Sequence, residues 1–386
     1  MLPTTGLRIA LAGMAALAVA MGIGRFAFTP ILPMMQDDAG VTIVAGGWLA
    51  SANYLGYLLG ALAATLWPLR GSAVLIIGML GIAAVTFAMG ITTDFTAWIV
   101  LRFIAGVASA LVFIAVTMRC MWALAEYGRP QLNGVVYAGV GSGIAGAGLL
   151  CLALMYGQTG SAWAWMILGA AALMATLFVL PVLTAVIMPG TAAAPVATRG
   201  NLSGRAAWFV LCYGIAGFGY IIPATFLPVM AKAVVPDVAL FGWSWPVFGV
   251  AALLSTLIAA AHAKTVGHGR VWIISHWLMA GGVVLPALLP GLMVMIVSAL
   301  LVGGTFVVTT MTSLQVARET SANAARLVAA MTASFALGQI LGPVVAGLLF
   351  EAGYGFVSGL WLAGTLVALS ALILGRVMPA GTIAGA

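Results

Sequence analysis

Two arginines carry the most pointed chemistry in this sequence: Arg25, inside GIGRFAFTPILPMM (22–35), and Arg102, inside the apolar run that follows Asp94. A guanidinium is a planar fork of donors that stays protonated in proteins and suits carboxylates and other oxyanions two bonds at a time. In hydrocarbon it costs at least about 2.5 kcal/mol, so it persists where it faces a cavity, a partner or a substrate. None of the seven acids lies inside an apolar segment away from its ends. Compensation must therefore come from carbonyls, hydroxyls, water or an anion. One reading makes Arg25 and Arg102 a binding site for a small organic anion. The other ties one or both to backbone carbonyls and to hydroxyls such as Ser109 or Tyr54. Arg25 favours the first, because Tyr220 stands at its place in a second copy of the motif, GFGYIIPATFLPVM (217–230), so internal symmetry does not demand a base.

The elements that must hold these side chains are membrane helices. The chain of 386 residues is 64% hydrophobic and 5% charged, and a helical span needs about 20 apolar residues. Breaks at Gly, Pro and charged residues predict twelve spans. The first six cover roughly 7–35, 42–67, 73–91, 95–123, 132–156 and 162–188. The second six cover roughly 205–232, 238–262, 269–288, 291–316, 323–351 and 355–378. The expected fold is all-α and integral to the membrane, with a six-helix bundle over 1–188, a cytoplasmic linker over 189–204 and a second bundle over 205–386. Arg8, an apolar run and Ala18-Val19-Ala20 resemble a signal peptide, but the pairing of 22–35 with 217–230 keeps this stretch as the first helix.

Charge sets the expected orientation. With the N-terminus inside, Arg8, Arg70, Arg119, Arg129, Arg199, Arg205, Lys264, Arg270, Arg318, Arg326 and Arg376 fall on the cytoplasmic side and Lys232 outside. Asp37, Asp38, Asp94, Asp237 and Glu351 fall outside, against Glu126 and Glu319 inside. Both termini are then cytoplasmic. Ten tryptophans (48, 67, 98, 122, 163, 165, 208, 243, 245 and 272) lie near segment ends, as an aromatic belt requires. The net charge of +7 comes from scattered bases with no run suited to nucleic acid.

The duplication extends along the chain. Gly47-Trp48 pairs with Gly242-Trp243 at the offset of 195 that relates the two motifs, and Gly139, Gly143, Ala147 and Gly148 match Gly338, Gly342, Ala346 and Gly347 at 199. Parallel six-helix repeats place a site near the midplane between them. Arg25 lies about 15 Å along its helix from the outer end and Arg102 about 12 Å from the same face. Helical spacing adds further candidates: Ser109 with Arg102, Tyr213 with Tyr220, Thr305 with Thr309 and Thr312, and Asn53 with Tyr57. Hydroxyl stripes in membrane helices are more often packing contacts or bonds back to the preceding turn. Cys120, Cys151 and Cys212 match neither a disulfide framework nor a metal site and are expected as small core residues. Asp37-Asp38 lacks the second acidic cluster a Mg²⁺-dependent prenyl-diphosphate enzyme would need. His262, His268 and His276 are expected near headgroups, with no metal.

Twelve helices in two sixes with a central linker resemble the major facilitator superfamily of secondary transporters over essentially the whole chain. Gly60 and Arg70 fit its loop between helices 2 and 3, where Ala64 and Thr65 replace an acid and a base. Arg102 and Gly106 fit its helix 4, with Ala105 where glutamine is common. Its fifth-helix glycine motif is present at Gly139–Gly148 with Ile144 for proline, while Gly342-Pro343 is kept in the second half. GIGRFAFTPILP and GWLASANYLGYLLGAL are most similar to the YbfB/YjiJ-like branch. The resemblance implies a bacterial inner-membrane transporter working by alternating access, with helices 1, 4, 7 and 10 lining a cavity that both guanidiniums enter. The expected substrate is a small organic anion. A coupled proton or ion would be carried by Asp37, Asp94, Glu351 or the substrate. An exporter of amphipathic drugs is the alternative. An enzyme or sensor is disfavoured, since the chain offers no cluster of acid, base or metal groups and no loop long enough for a soluble domain; no cofactor is expected.

Overall fold

The computed structural model describes residues 4–66, 72–186, 204–321 and 323–383. Among them every regular element is helical. Trp67, Arg70, Arg199 and linker residues 189–203 lie outside the described residues.

The long helices, labelled in chain order, are α1 (Thr4–Leu17, continuing through Ala18–Phe26 and Phe28–Asp38), α2 (Ile43–Leu66), α3 (Ser72–Met89), α4 (Phe95–Glu126), α5 (Asn133–Tyr156) and α6 (Ser161–Thr184). They continue as α7 (Gly204–Val234), α8 (Ser244–Val266), α9 (His268–Leu288), α10 (Leu292–Thr320), α11 (Ala324–Leu349) and α12 (Gly355–Val377). Among the described residues ten stretches are long and apolar enough to cross a membrane, and the last of them, Ala324–Val377, is α11 and α12 joined through a kink at Gly353. Helix α2, at 24 residues, also has the length of a span.

Acids mark the helix ends for a physical reason. The Asp94 carboxylate accepts from Ala97 N at 2.7 Å and caps α4, while Asp38 accepts from the Ser161 N–H and hydroxyl at 2.5 and 2.7 Å and caps α6 from the end of α1. Asn323 caps α11 in the same way. Arg119 is buried, and its guanidinium donates to the Val186 carbonyl just beyond α6.

Helices pack closely where side chains vanish. A Cβ on Gly22 would lie 2.3 Å from the Gly143 backbone, and one on Gly106 would lie 2.0 Å from the Asn53 carbonyl, so α1 crosses α5 and α2 crosses α4 nearly backbone to backbone. The pairs α1–α5, α2–α4, α7–α11 and α9–α10 are the main contacts between helices of the same half. Across the halves, α5 packs on α8, α2 on α11, and the Phe28–Asp38 part of α1 on α7.

The structure corrects two expectations. His276 is fully buried, its ring nitrogens 3.2 Å from the Trp272 carbonyl and 3.4 Å from the Cys212 carbonyl. It shares a face of α9 with buried Trp272, Met279 and Val283, so helical phase overrides the pull toward headgroups. His268 pairs with Glu319 at 2.8 Å, and His262 is exposed. Likewise Trp98, Trp165, Trp245 and Trp272 are buried among helices, while Trp48, Trp163, Trp208 and Trp243 keep the exposure of a belt. All three cysteines are free and buried.

Candidate functional site

Residues Ala18–Phe26 of α1 form a π-helix, with Arg25 near its end. In that wider register each carbonyl looks to the N–H five residues on. For Arg25 that residue is Pro30, which has no N–H to give. That carbonyl and its neighbour at Gly24 both accept from side chains of other helices. Arg102 Nη2 donates to the Arg25 carbonyl at 3.0 Å and its Nη1 to the Gly24 carbonyl at 3.5 Å. Asn53 Nδ2 donates to the Gly24 carbonyl at 3.2 Å and to the Arg102 carbonyl at 2.9 Å. Arg102 is 1% exposed, with its guanidinium 4.9 Å from the Phe28 ring and 6.0 Å from that of Trp165. Arg102 and Asn53 thus hold the distorted turn in place.

The Arg25 side chain leaves this turn toward the second half. It is 4% exposed. Its Nη2 donates to Gln339 Oε1 on α11 at 2.6 Å, and the Gln339 amide nitrogen donates to the Tyr220 hydroxyl on α7. Aromatic rings flank the guanidinium: Tyr57 at 4.1 Å, Tyr54 and Phe26 each at 5.2 Å. Such contacts contribute about 0.5–2 kcal/mol apiece. Arg25 Nε has no hydrogen-bond partner among the described residues. Nor does either arginine meet a carboxylate there; the ion pairs found join Lys232 to Asp37 and His268 to Glu319.

The remaining candidates fall into two groups. Tyr220 and Tyr213 belong to an aromatic cluster built from both halves, and Tyr57 lies against the Arg25 guanidinium. Tyr220 stacks on Phe306 (centroids 5.2 Å apart) and on Phe335 (5.5 Å), and Tyr213 stacks on Phe335 at 4.4 Å. Phe26 joins from α1 through Phe306 at 6.0 Å and Trp245 at 6.4 Å. Ser109 is buried against Gly24. Thr305 bonds back to the Leu301 carbonyl at 2.7 Å and Thr312 to that of Val308 at 2.8 Å, which leaves the Thr309 hydroxyl as the unpaired member of the stripe among the described residues. Gln339 escaped the sequence reasoning. Its signal is an amide alone within the apolar run FALGQILGP, whose glycines also fit close helix packing.

One end of the molecule is sealed above this site. Residues 26–35 of α1 and 219–231 of α7 are all buried. Across them Thr29 Oγ1 donates to the Ala224 carbonyl at 2.6 Å, Ser51 Oγ to the Ile340 carbonyl at 2.7 Å, and Tyr54 and Thr225 hydroxyls meet at 3.4 Å. Lys232 closes the rim on Asp37 and the Pro33 carbonyl. Beside it lies a cavity of about 290 Å³ lined by Pro33, Met34, Asp37, Asp38, Lys232 and Phe241 among others.

Comparison with known proteins agrees with this architecture. Residues 17–375 match the family model described as "Uncharacterised MFS-type transporter YbfB". The "Uncharacterized MFS-type transporter YceJ" of Bacillus subtilis (strain 168) is 37% identical over 94 residues, which are 24% of this chain and 24% of that relative. The match thus spans about a quarter of the curated relative's length. Two crystal structures titled nucleoside transporter NupG share the fold. One, a point mutant, has a TM-score of 0.75 at 16% identity and covers 97% of this chain and 100% of its own. The other has a TM-score of 0.72 at 13% identity, covering 97% and 98%. With its model matched over nearly the whole chain, this multi-pass membrane protein belongs to the YbfB-type transporters of the major facilitator superfamily.

Proposed function

We propose that this chain is a secondary transporter, not an enzyme, that moves a small organic anion by alternating access across a bacterial inner membrane. The six-helix halves 1–188 and 205–386 rock about a site at Arg25, joined by a cytoplasmic linker at 189–204. Both termini are cytoplasmic, so the sealed Asp37 end faces outward and the described conformation faces in. One observation carries the anionic reading. Arg25 is buried where the halves meet, its partner is a neutral amide, and among the described residues no carboxylate offsets its charge. A bound anion supplies what the protein omits. Tyr57 and Tyr220 then line the substrate, and Tyr213 and Thr309 extend the surface, while Arg102, Asn53, Ser109 and Thr305 support it. A coupled proton, if used, rides on Asp37, Asp94, Glu351 or the substrate.

The aromatic cluster favours a second reading, an exporter of amphipathic or ring-bearing solutes for which Arg25 is structural. The nucleoside named in the NupG titles falls in this class, since it would use the rings and leave the guanidinium uncompensated. Thermal stabilisation of the purified chain separates the two, because a ligand that binds only the folded state raises stability by mass action. Small anions, zwitterions, cations and nucleosides are compared on wild type and Arg25→Gln. Stabilisation by one anion class that disappears in the variant is the expected result. Equal responses of both proteins, or responses mainly to lipophilic cations or nucleosides, overturn the anionic reading.

A further inference from the structure

Gln339 occupies the position on Arg25 that an anion would need. Arginine is donor-only, so the atom that faces it must be the amide oxygen, which turns the amide nitrogen to Tyr220. The fork of Arg25 formed by Nε and Nη2 is half used: Nη2 holds Gln339 Oε1, and Nε is buried without a partner among the described residues. A primary amide offers this fork one oxygen. A carboxylate of the same planar shape offers two, in the geometry the fork prefers. The Tyr57 ring lies against the guanidinium at 4.1 Å, so recognition is directed to its edge, where a flat group fits better than a tetrahedral one. Arg102 is turned to the carbonyls of residues 24 and 25 through both Nη atoms, and only its Nε, buried beneath Phe28, is without a partner among the described residues.

We infer that Gln339 is a built-in stand-in for the substrate's carboxylate, and that the site takes a planar monocarboxylate, which binds by displacing the amide from Arg25. This rests on the anionic reading proposed above and narrows it. Once displaced, the amide has its nitrogen free to donate to the incoming carboxylate, so the residue changes from competitor to ligand. Because α11 carries Gln339 and α1 carries Arg25, the same exchange removes a bond between the two halves.

Competition gives the test a sign that an ordinary contact would not. Dissociation constants for acetate, lactate, benzoate, sulfate and inorganic phosphate are taken from the concentration dependence of thermal stabilisation of the full chain. Wild type is compared with Gln339→Met, Gln339→Glu and Arg25→Gln. The best carboxylate should bind about tenfold tighter to Gln339→Met, the change expected when one charge-assisted hydrogen bond no longer has to be displaced. It should bind at least about tenfold more weakly to Gln339→Glu, which fills the fork with a fixed carboxylate, and not at all to Arg25→Gln. Sulfate and phosphate should not compete. If Gln339→Met does not fold, Gln339→Asn, which withdraws the amide by one methylene, should shift affinity the same way. Weaker or unchanged carboxylate binding in Gln339→Met, with Arg25 still required, removes the stand-in and leaves the anionic reading intact. Preference for sulfate or phosphate also overturns it. No anion response in wild type or Gln339→Met overturns both.

Discussion

Arg25 and Arg102 meet at one turn of α1, both buried and both without a carboxylate partner among the described residues, yet their surroundings differ in kind. Arg102 binds two backbone carbonyls of its own half. Arg25 binds a side chain of the other half, and each arginine leaves its Nε without a partner among the described residues. Backbone partners cannot rotate away, so the charge of Arg102 is spent on holding the turn. A side-chain partner can leave, so the charge of Arg25 stays available. The contrast shows that burial and charge do not by themselves mark a binding residue; what matters is whether the partner is replaceable.

The sharpest way to break the comparison is to remove each charge in turn. Arg25→Gln should lower transport of the stabilising anion by about 100-fold, the loss of a two-bond charge-assisted contact, with a melting temperature no lower than wild type. Arg102→Gln should do the reverse. It strips charged donors from the Gly24 and Arg25 carbonyls and should cost about 2–4 kcal/mol, measured as reduced denaturation stability in detergent. A large loss of stability from the first variant, or none from the second, would erase the distinction.

Smaller changes sharpen it. Asn53→Ala also removes donors from the turn and should cost about 1–2 kcal/mol in the same assay, with anion affinity per folded molecule retained. Thr29→Val deletes the bond to the Ala224 carbonyl and should weaken the sealed end by about 1 kcal/mol, seen as faster alkylation of Met34→Cys in the variant than in the Met34→Cys parent. Asp37→Asn should have the least effect, less than about fivefold on that labelling rate, since its carboxylate is two-thirds exposed and the pair is screened by salt.

Much of the fold was legible because its signals are additive along the chain. Apolar runs, the offset of 195 and the acids at helix ends each survive without knowledge of a neighbour. The offset even anticipates contacts: Thr29 meets Ala224 and Asp37 meets Lys232, both pairs 195 apart. The site was legible only in part. Arg25 and Tyr220 stand out as departures within a repeated motif. The π-helical turn does not, because an i to i+5 register leaves no periodicity of its own, although Pro30 and Pro33 inside a predicted span hinted that carbonyls there would be short of donors. The polar face of α10 looked like a binding stripe, yet Thr305 and Thr312 spend their hydroxyls on their own helix. Which hydroxyl turns inward is a rotamer choice that sequence does not record.

The rim pair between Asp37 and Lys232 has a consequence for how such a molecule can exist at all. Two residues at equivalent places in the repeat meet across the axis that relates the halves. Were the halves separate identical subunits, each position on that axis would meet its own copy: aspartate against aspartate at the rim, or arginine opposite arginine at the centre, like charges forced together. Joining both halves in one chain lets the copies diverge. One can keep the acid while the other takes the base, and one can keep Arg25 while the other takes Tyr220. A single unopposed charge at the centre of a twofold arrangement is thus something covalent linkage permits and a symmetric dimer does not.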